Sequence, residues 1–431
     1  MIKDVNVMVF PCGTEVGLEI HKSLKNTRFV TLYGSSTAPG HGEYVYKNHC
    51  EYLPKLDDPA FIDEFAELLV KKKIDLVFPT IEEAIVRLSE NRDRFQAQIL
   101  APSEKAVKIC RDKSLTYLEL AGSSYLPEVY ADADAVNEYP VLVKPACGQA
   151  SQGVRIIHNK GNLIDHLKTS DVRNVICEYL PGDEYTVDCF TDREKNLKYI
   201  GMRKRSRTKG GICMTSVAVE ADESLCQIAE DISNKLDLRG EWFFQVKRDK
   251  HGKCKLMEVA TRCAGTMCVN RALNVNLPLL TVLDAIGEST TIESIKGEVT
   301  VDRALYNSFR TDLVFDEVYI DYDDTLVIHD RVNHEAIRFL YQCAERDIPV
   351  ILITKHHKDI REELLARCIS PALFRDIVHI TSEDKKVEHV SPTRFALFID
   401  DSFREREEMR KEHGITAIGP ESIETLIDWK E

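Results

Sequence analysis

The stretch VYIDYDDTLV (318–327) decides the fold of about the last quarter of the chain. Its apolar start is typical of a buried strand, and Asp321, Asp323 and Thr325 follow that strand directly. Three further strings come later in order: LITK (352–355) with Thr354, the pair Lys385–Lys386, and FIDDS (398–402) with Asp400 and Asp401. One Asp-x-Asp after a strand is common by chance. Four such elements in order, each at a predicted strand end, indicate a catalytic site.

This four-part pattern resembles the haloacid dehalogenase superfamily, which implies a Rossmann-like domain over residues 313–431. The resemblance implies that Asp321 attacks phosphorus as the nucleophile, and that Asp323 protonates the leaving oxygen and later activates water. It also implies that Thr354 holds the phosphoryl oxygens and that a lysine offsets their charge. Of the two adjacent lysines, Lys386 is preferred to Lys385.

The same resemblance implies a Mg²⁺ site at these strand ends. Its ligands would be Asp321, the carbonyl of Asp323, and Asp400, with Asp401 behind them. Asp324, the extra acid of the string, is expected to be a spectator. The resemblance therefore implies a Mg²⁺-dependent phosphatase that acts on a small-molecule phosphoester.

Only about thirty residues separate Thr325 from Thr354, so a large inserted cap is not expected. Two alternatives to hydrolysis stay open. One is phosphoryl transfer to an acceptor other than water, and the other is the chemistry of similar domains in acyl-transfer and polyketide loading enzymes. His356 and His357 are expected to be ordinary loop residues, with contact to substrate as the alternative, because a metal site would need further ligands.

The first three quarters of the chain follow a different pattern. Up to about residue 110, apolar strands alternate with amphipathic helices, which predicts a parallel sheet with helices on both faces. One helix is predicted over 103–121. From 140 to 260 strands predominate, interrupted by one predicted helix (223–236), which favours an α+β region with an antiparallel sheet. The predicted fold is therefore α/β and α+β multidomain, with domains 1–110, 111–312 and 313–431.

Nucleotide-binding chemistry is indicated first by VLVKPACGQASQGVRII (141–157). It joins Lys144 on a strand to a loop of small residues that includes Gly148, Ser151 and Gly153. Backbone N–H groups of such a loop can approach phosphates closely, and the lysine adds positive charge. Taken alone, the string fits an ordinary β-hairpin equally well.

Two further strings favour the nucleotide interpretation. VICEYLPGDEYTVD (175–188) offers carboxylates for a ribose and backbone groups for an adenine. Gln245 in FFQVK and Glu258 in KLMEVATRCAG lie on neighbouring predicted strands, where an amide and a carboxylate suit Mg²⁺ that bridges phosphates.

Over about residues 1–305 these strings resemble the ATP-grasp superfamily, in particular the branch that contains the carbamoyl-phosphate synthase large-chain halves and the pyrrolysine-pathway ligase. The resemblance implies ATP and Mg²⁺ as cofactors, and a ligase in which a carboxylate becomes an acyl phosphate before an amine displaces phosphate. The residues implied are Lys113 and Lys144 for phosphate, Gly148, Ser151 and Gly153 in the loop, Glu178 and Leu180 at the adenine, Glu184 at the ribose, Gln245 and Glu258 as metal ligands, and Arg262 at the transferring phosphoryl group.

The chain departs from that family at one position. The usual closing motif is Glu-x-Asn-x-Arg, whereas EVATR places Ala260 where the asparagine should stand. Either one metal is lost, or Thr261 or water replaces the ligand. An ATP-binding regulatory or scaffold protein with an inactive ligase half is the alternative function. The basic string RKRSRTKGG (203–211) is interpreted as a clamp for carboxylate or acyl phosphate, with a solvated turn as the alternative.

Composition limits the function classes. The net charge of −14, from 57 basic and 71 acidic residues, argues against nucleic acid as a partner. Thirteen scattered cysteines without a Cys-x-x-Cys motif predict reduced thiols and a cytoplasmic location. No membrane span is expected. The predicted partners are small-molecule carboxylate, amine and phosphoester substrates, with a homodimer left open. The sequence predicts a bifunctional enzyme.

Overall fold

The computed structural model describes residues 2–148, 152–220, 222–289 and 291–430. The chain forms two units, unit 1 (Met1–Leu305) and unit 2 (Tyr306–Glu431). The predicted boundary between residues 312 and 313 therefore falls inside unit 2. The predicted combination of parallel and antiparallel sheets in a multidomain α/β chain is confirmed.

The first sheet of unit 1 has five parallel strands in the order β3-β2-β1-β4-β5. The strands are β1 (Val5–Phe10), β2 (Val30–Gly34), β3 (Asn48–His49), β4 (Leu76–Pro79) and β5 (Gln98–Ile99). The helices are α1 (Glu15–Leu24), α2 (Gly42–Val45), α3 (Phe61–Lys71) and α4 (Glu82–Ser89), with a 3-10 turn at Arg92–Arg94. Strand β1 is apolar except for Asn6 because helices cover both faces of such a sheet, and Phe10 packs against Phe61 and Phe65.

The helix predicted over 103–121 is two helices, α5 (Glu104–Arg111) and α6 (Lys113–Glu119). Asp112 separates them in an extended conformation, and its carboxylate caps α6 by accepting hydrogen bonds from the N–H groups of Ser114 (2.9 Å) and Leu115 (3.3 Å). A side chain that bonds to nearby backbone N–H groups competes with continuation of a helix. The break makes Lys113 the first residue of a helix.

Replacing Asp112 by alanine should destabilise unit 1 by about 1–2 kcal/mol, because α6 loses its N-cap and the Arg173 guanidinium loses its carboxylate partner. The measurement is urea unfolding followed by Trp242 fluorescence in a Trp429→Phe background. Asp165→Ala, an exposed substitution inside a helix, is the control and should change the unfolding free energy by less than about 0.5 kcal/mol. Equal losses in both variants would contradict the capping role.

A four-stranded antiparallel sheet follows, in the order β6-β9-β7-β8. Its strands are β6 (Val129–Tyr130), β7 (Val141–Pro145), β8 (Arg155–Ile157) and β9 (Asn174–Glu178). The stretch 140–260 was predicted to contain a single helix, 223–236. That prediction was wrong, because helix α7 (Lys160–Thr169) also lies within this stretch. Leu163 is the one fully buried residue of α7, with Ile164 and Leu167 partly buried beside it, so the apolar face of this helix is narrow.

The largest sheet has six antiparallel strands in the order β14-β13-β10-β11-β12-β15. They are β10 (Glu184–Thr191), β11 (Leu197–Lys209), β12 (Ile212–Val219), β13 (Gly240–Arg248), β14 (Cys254–Ala260) and β15 (Thr300–Asp302). Helix α8 (Glu223–Leu236) covers one face and matches its predicted bounds, with Leu225 and Ile232 in a core shared with Trp242 and Phe244. Two further helices are α9 (Cys268–Ala272) and α10 (Leu277–Ala285).

Glu241 on β13 is a buried acid, and its Oε2 atom has no hydrogen-bond partner among the described residues. Burial raises the pKa of Glu241 from 4.5 to about 8, and the charges of Asp188 and Glu19 add to the shift. The folded state therefore holds a proton between these two pH values that the unfolded chain has released. Stability accordingly falls as pH rises through this window, by at most about 1.4 kcal/mol per pH unit.

Glu241→Gln should remove this pH dependence. We expect the free energy of unfolding of the wild type to fall by several kcal/mol (an upper estimate of about 4) between pH 5 and pH 8, and that of the variant to fall much less. The same Trp242 fluorescence measurement at both pH values checks this. An equal fall in the free energy of unfolding for the two proteins would show that Glu241 is ionised or solvated in the folded state.

Unit 2 has a five-stranded parallel sheet in the order β20-β19-β16-β21-β22. The strands are β16 (Glu317–Ile320), β19 (Val350–Thr354), β20 (Asp376–His379), β21 (Ala396–Ile399) and β22 (Thr416–Ile418), with a hairpin of β17 (Val327–Ile328) and β18 (Arg331–Val332). The helices are α11 (His334–Glu345), α12 (Ile360–Ala366) and α13 (Phe403–His413), with 3-10 turns at Pro371–Leu373, Lys386–His389 and Pro420–Leu426. Between residues 325 and 354 the described chain forms only the hairpin, α11 and β19, which leaves no room for a large cap.

Candidate functional site

A cavity of about 820 Å³ lies in unit 1. Its wall combines strands of both antiparallel sheets with the beginnings of helices α1, α4 and α6. This volume is within the usual range for small-ligand pockets of about 300–1,000 Å³. The predicted residues on its wall are Lys113, Lys144, Gly148, Leu180, Glu184, Gln245, Glu258 and Arg262.

Lys144 is a buried cation on this wall, with 5% of the residue exposed. It lies on β7, and its ammonium donates hydrogen bonds to the hydroxyl of Tyr117 (2.7 Å) and to the carbonyl of Met257 (3.0 Å). Both acceptors are neutral, and among the described residues no carboxylate forms an ion pair with it. Since a buried charge is costly without an opposite charge, the site favours an anionic ligand next to Lys144.

Gln245 and Glu258 face one another directly across strands β13 and β14. Lys113 adjoins them: its ammonium lies 3.4 Å from the Glu258 carboxylate and donates to the carbonyl of Gly148 at 3.3 Å. An amide and a carboxylate on one wall, with lysines nearby, form a donor set that fits Mg²⁺ bound to phosphates. These residues would hold the ion.

Two arginines of the wall pair with acids. The Arg205 guanidinium lies 2.7 Å from the carboxylate of Glu184, so the predicted ribose acid is engaged by the basic strand β11. Arg262 donates to Glu82 at 2.9 Å and lies over the ring of Phe243. The interpretation of 203–211 as a solvated turn is therefore incorrect for Arg205, which faces the cavity.

Arg203, from the same string, is buried and held by Asp188, with Nε–Oδ2 at 2.6 Å and Nη2–Oδ1 at 3.0 Å. Its remaining Nη1 donates to the hydroxyls of Ser216 and Thr266. With four of its five N–H donors occupied by side chains of the protein, Arg203 braces strands β10 and β11.

Three predicted residues lie away from this wall or outside the described residues. The Glu178 carboxylate accepts a hydrogen bond from the N–H of Glu128 and does not line the cavity, because side chains alternate along β9 and its neighbours Cys177 and Tyr179 do line it. Gly153 adopts a φ of +74° and lies so close to Pro145 that a Cβ would be 2.7 Å from its Cγ. Ser151 lies outside the described residues.

Ala260, at the position of the missing asparagine, is on the cavity wall and carries no ligand atom in its side chain. Thr261, one of the two replacements considered, is buried and does not line the cavity. Sequence reasoning missed Glu15, Glu82, Tyr117 and Arg303, which all line it. Glu15, Glu82 and Arg303 lie far in sequence from the recognised strings, so no local pattern could have pointed to them, whereas Tyr117 is only four residues from Lys113 and its contact with Lys144 is what the sequence does not show.

In unit 2, Lys386 connects two buried aspartates. Its ammonium lies 2.7 Å from Oδ1 of Asp321 and 2.6 Å from Oδ2 of Asp400, and all three residues are at least nine-tenths buried. Lys385, the other candidate, begins the 3-10 turn that positions Lys386. Burial raises the pKa of both Asp321 and Asp400, because a single lysine cannot offset two buried carboxylates.

Carboxylate oxygens of Asp321, Asp400 and Asp401 lie within 4.8 Å of one another. Their excess negative charge and their oxygen donors fit a divalent cation such as Mg²⁺. The carboxylate of Asp323 is not in this group, since Nδ1 of His356 lies 2.9 and 3.0 Å from its two oxygens. Asp323 could therefore join a metal site only through its carbonyl, as predicted.

Thr354 ends β19 with no exposed surface, and its hydroxyl accepts a hydrogen bond from the N–H of His356. His356 is thus tied to both Thr354 and Asp323, and its ring also contacts Tyr322. The expectation of an ordinary loop histidine missed this role. Adjacency to Thr354 was the available signal, but a sequence alone does not show that Asp323 lies opposite.

Solved structures of other proteins are similar to about two thirds of this chain. The biotin carboxylase of Campylobacter jejuni gives a TM-score of 0.58 at 16% identity, covering 69% of this chain and 75% of that one. The N5-carboxyaminoimidazole synthetase of Staphylococcus aureus with ADP gives 0.59 at 14% identity, covering 71% and 83%. The L-amino acid ligase of Bacillus licheniformis gives 0.55 at 16% identity, covering 67% and 75%. The chain contains the ATP-grasp fold.

Sequence comparisons agree with the ATP-grasp fold. Residues 170–304 match the family described as ATP-grasp in the biosynthetic pathway with Ter operon. The 3-methyl-D-ornithine–L-lysine ligase of Methanosarcina mazei is 30% identical over 127 residues, which are 28% of this chain and 31% of that ligase. The similarity thus spans less than a third of the relative's length. ATP-grasp enzymes use ATP and Mg²⁺, and one neighbour holds ADP with magnesium. No helix among the described residues is long and apolar enough to cross a bilayer.

Proposed function

We propose that unit 1 is an ADP-forming ligase that joins a small-molecule carboxylate to an amine through an acyl phosphate. The observation that carries this proposal is the convergence of Lys113, Lys144, Arg262 and the Gln245–Glu258 pair on one cavity. The named ligases among the relatives support the reaction class. Membership of the carbamoyl-phosphate synthase-like branch and a cytoplasmic location stay predictions.

The residues of the cavity have different proposed roles in phosphoryl transfer. Lys144 and Lys113 bind phosphate oxygens, and Arg262 stabilises negative charge that develops as a substrate carboxylate oxygen attacks the γ-phosphorus of ATP. The bond between that phosphorus and the β–γ bridging oxygen breaks, and ADP leaves. An amine then attacks the acyl carbon, phosphate leaves, and the amine proton is released. Mg²⁺, held by Glu258 and Gln245, would supply charge neutralisation at the phosphates.

The alternative is a protein that binds ATP for regulation or as a scaffold and catalyses no ligation. Ala260 favours it, because the wall lacks a ligand atom where the family has asparagine. Both functions predict nucleotide binding, so binding alone cannot distinguish them.

The deciding experiment measures ADP formation from MgATP with a panel of carboxylic acids and amines. Ligation requires ADP release that depends on the acid and an amide product confirmed by mass spectrometry. MgATP binding without ADP release for any pair would favour the regulatory alternative. Failure to bind MgATP would overturn both.

For unit 2 we propose a Mg²⁺-dependent phosphatase of the haloacid dehalogenase type, acting in the same biosynthetic pathway as the ligase. Support comes from Asp321, Thr354 and Asp400 at the carboxyl ends of adjacent parallel strands, and from Lys386, whose ammonium lies between the two aspartates. An oxygen of Asp321 would attack phosphorus while Asp323 protonates the leaving alcohol, and water would then release phosphate and regenerate Asp321. Mg²⁺ at the three carboxylates would offset charge on the phosphoryl group. A phosphorylated product in place of free phosphate would establish transfer instead.

A further inference from the structure

In unit 2 the carboxylate of Asp323 has one hydrogen-bonding side chain beside it among the described residues, the imidazole of His356. Nδ1 of that ring lies 2.9 Å from Oδ1 and 3.0 Å from Oδ2 of Asp323. The two side chains differ in exposure, since 54% of the Asp323 side chain is exposed and 8% of the His356 side chain. An exposed aspartate samples several rotamers unless a partner fixes it, and here the partner is a nearly buried ring.

His356 is itself held in place on several sides. Its backbone N–H donates to the hydroxyl of Thr354 at 3.2 Å, and its carbonyl accepts a hydrogen bond from Nε2 of His379 at 2.5 Å. The ring of Tyr322 meets the imidazole edge to face, with the ring centres 5.0 Å apart. Since Tyr322 follows Asp321 directly, the imidazole is anchored at the ends of both β16 and β19.

The contact suits a carboxyl group that donates a proton. An ionised carboxylate only accepts hydrogen bonds, so Nδ1 carries the hydrogen of this pair. A hydrogen on Nε2 would be left without an acceptor, because Nε2 is buried and has no hydrogen-bond partner among the described residues. Nδ1 is almost equally close to both oxygens of Asp323, so either one can accept from it while the other carries a proton.

We propose that His356 is a positioning residue that holds the Asp323 carboxyl group as proton donor to leaving alcohols, which assigns phosphate monoesters of aliphatic alcohols to unit 2 as substrates. As Asp321 attacks phosphorus, the bond from phosphorus to the alcohol oxygen breaks, its electron pair stays on that oxygen, and the proton of Asp323 goes there. An aliphatic alkoxide leaves poorly without this proton, whereas p-nitrophenolate leaves without it. The inference rests on the proposed phosphatase function of unit 2.

The test compares kcat/KM, with MgCl₂ present, for p-nitrophenyl phosphate, phenyl phosphate and the best aliphatic phosphomonoester of a metabolite panel. This constant reports the steps through release of the alcohol, so later hydrolysis of the aspartyl phosphate does not affect it. His356→Leu should lower it less than about 3-fold for the p-nitrophenyl ester and about 10- to 100-fold for the aliphatic ester, a part of the usual worth of a general acid. Phenyl phosphate should lie between them.

The criterion is the ratio of the aliphatic to the p-nitrophenyl value, because this ratio does not depend on the fraction of folded enzyme. His356→Asn should keep the wild-type ratio within about 3-fold, since its amide N–H lies near the place of the Nδ1–H group. His356→Gln, whose amide lies nearer the place of Nε2, should lower the ratio as leucine does, and it replaces leucine if that variant does not fold. His334→Leu, at an exposed position at the start of α11, is the control and should leave the ratio unchanged.

His356 should act only through Asp323. Asp323→Asn alone should lower the ratio at least as much as His356→Leu, and the double variant should show no further loss, because two residues that act as one unit are not additive. A further loss of about 10-fold in the double variant would show that His356 acts on the substrate directly, which overturns the positioning role.

Failure of this inference is distinguishable from failure of the phosphatase proposal. If the wild type releases alcohol from no ester, both fail. If the wild type accepts aryl esters alone, or if the ratio is unchanged in His356→Leu, only this inference fails. Phosphoryl transfer to an acceptor other than water begins with the same release of alcohol, so the same series of esters decides in that case as well.

Discussion

Lys144→Met should reduce ADP formation by unit 1 about 10²- to 10³-fold, the usual cost of removing one preorganised charged donor from a phosphoryl-transfer site. The ammonium of Lys144 is buried beside neutral acceptors, so its charge is available to a phosphate. Methionine has a similar length and no charge. The measurement is the initial rate of ADP release with the best acid and amine of the panel.

The fold should tolerate this change. The Tyr117 hydroxyl retains its own hydrogen bond to the carbonyl of Met257 (2.9 Å) after the ammonium is lost. Removal of a buried cation also relieves its desolvation cost, so we expect the midpoint of thermal unfolding to stay equal or to rise. Lys168→Met, at an exposed position of α7, is the control and should leave the rate unchanged. An unchanged rate for Lys144→Met would remove Lys144 from the phosphate site.

The sequence predicted those parts of the fold whose periodicity is strong. Strand β1 and helix α8 were recognisable because a run with one polar residue and a 3.6-residue apolar repeat mark elements packed against a core. Helix α7 was not, since its apolar face consists of Leu163, Ile164 and Leu167 alone. The break at Asp112 was also missed. The sequence has a helical pattern on both sides of Asp112 and does not show that its carboxylate bonds to the backbone and caps a second helix.

For the candidate sites, too, local features could be predicted and long-range ones could not. Residues within one string, such as Asp321 with Asp323, could be given predicted roles, because the pattern on which the resemblance rests is local in sequence. Partners that come from distant elements could not be predicted. Glu82 and Arg262 are in contact but lie 180 residues apart in sequence, and His356 meets Asp323 only because β19 packs beside β16. Glu15 and Arg303 are the extreme case, since they come from the two ends of unit 1.

Asp321→Asn should abolish phosphoester hydrolysis, with a loss of about 10⁴-fold or more, because an amide cannot replace the attacking carboxylate. The measurement is phosphate release from p-nitrophenyl phosphate, followed by a panel of phosphorylated metabolites, with MgCl₂ present. Lys386 keeps Asp400 as its partner at 2.6 Å in the variant, so the buried ammonium is not left unpaired. Since asparagine has nearly the shape of aspartate, the β16 strand end should stay folded.

Asp324→Asn is the matched control, because it removes a carboxylate from the same string at an exposed position outside the Asp321–Asp400–Asp401 group. It should retain hydrolysis within about 3-fold, as expected for a surface substitution away from the reacting groups. ADP release by unit 1 should be the same in the wild type and in both variants. Loss of both activities in Asp321→Asn would contradict independent sites, and equal hydrolysis by both variants would show that Asp321 is not the nucleophile.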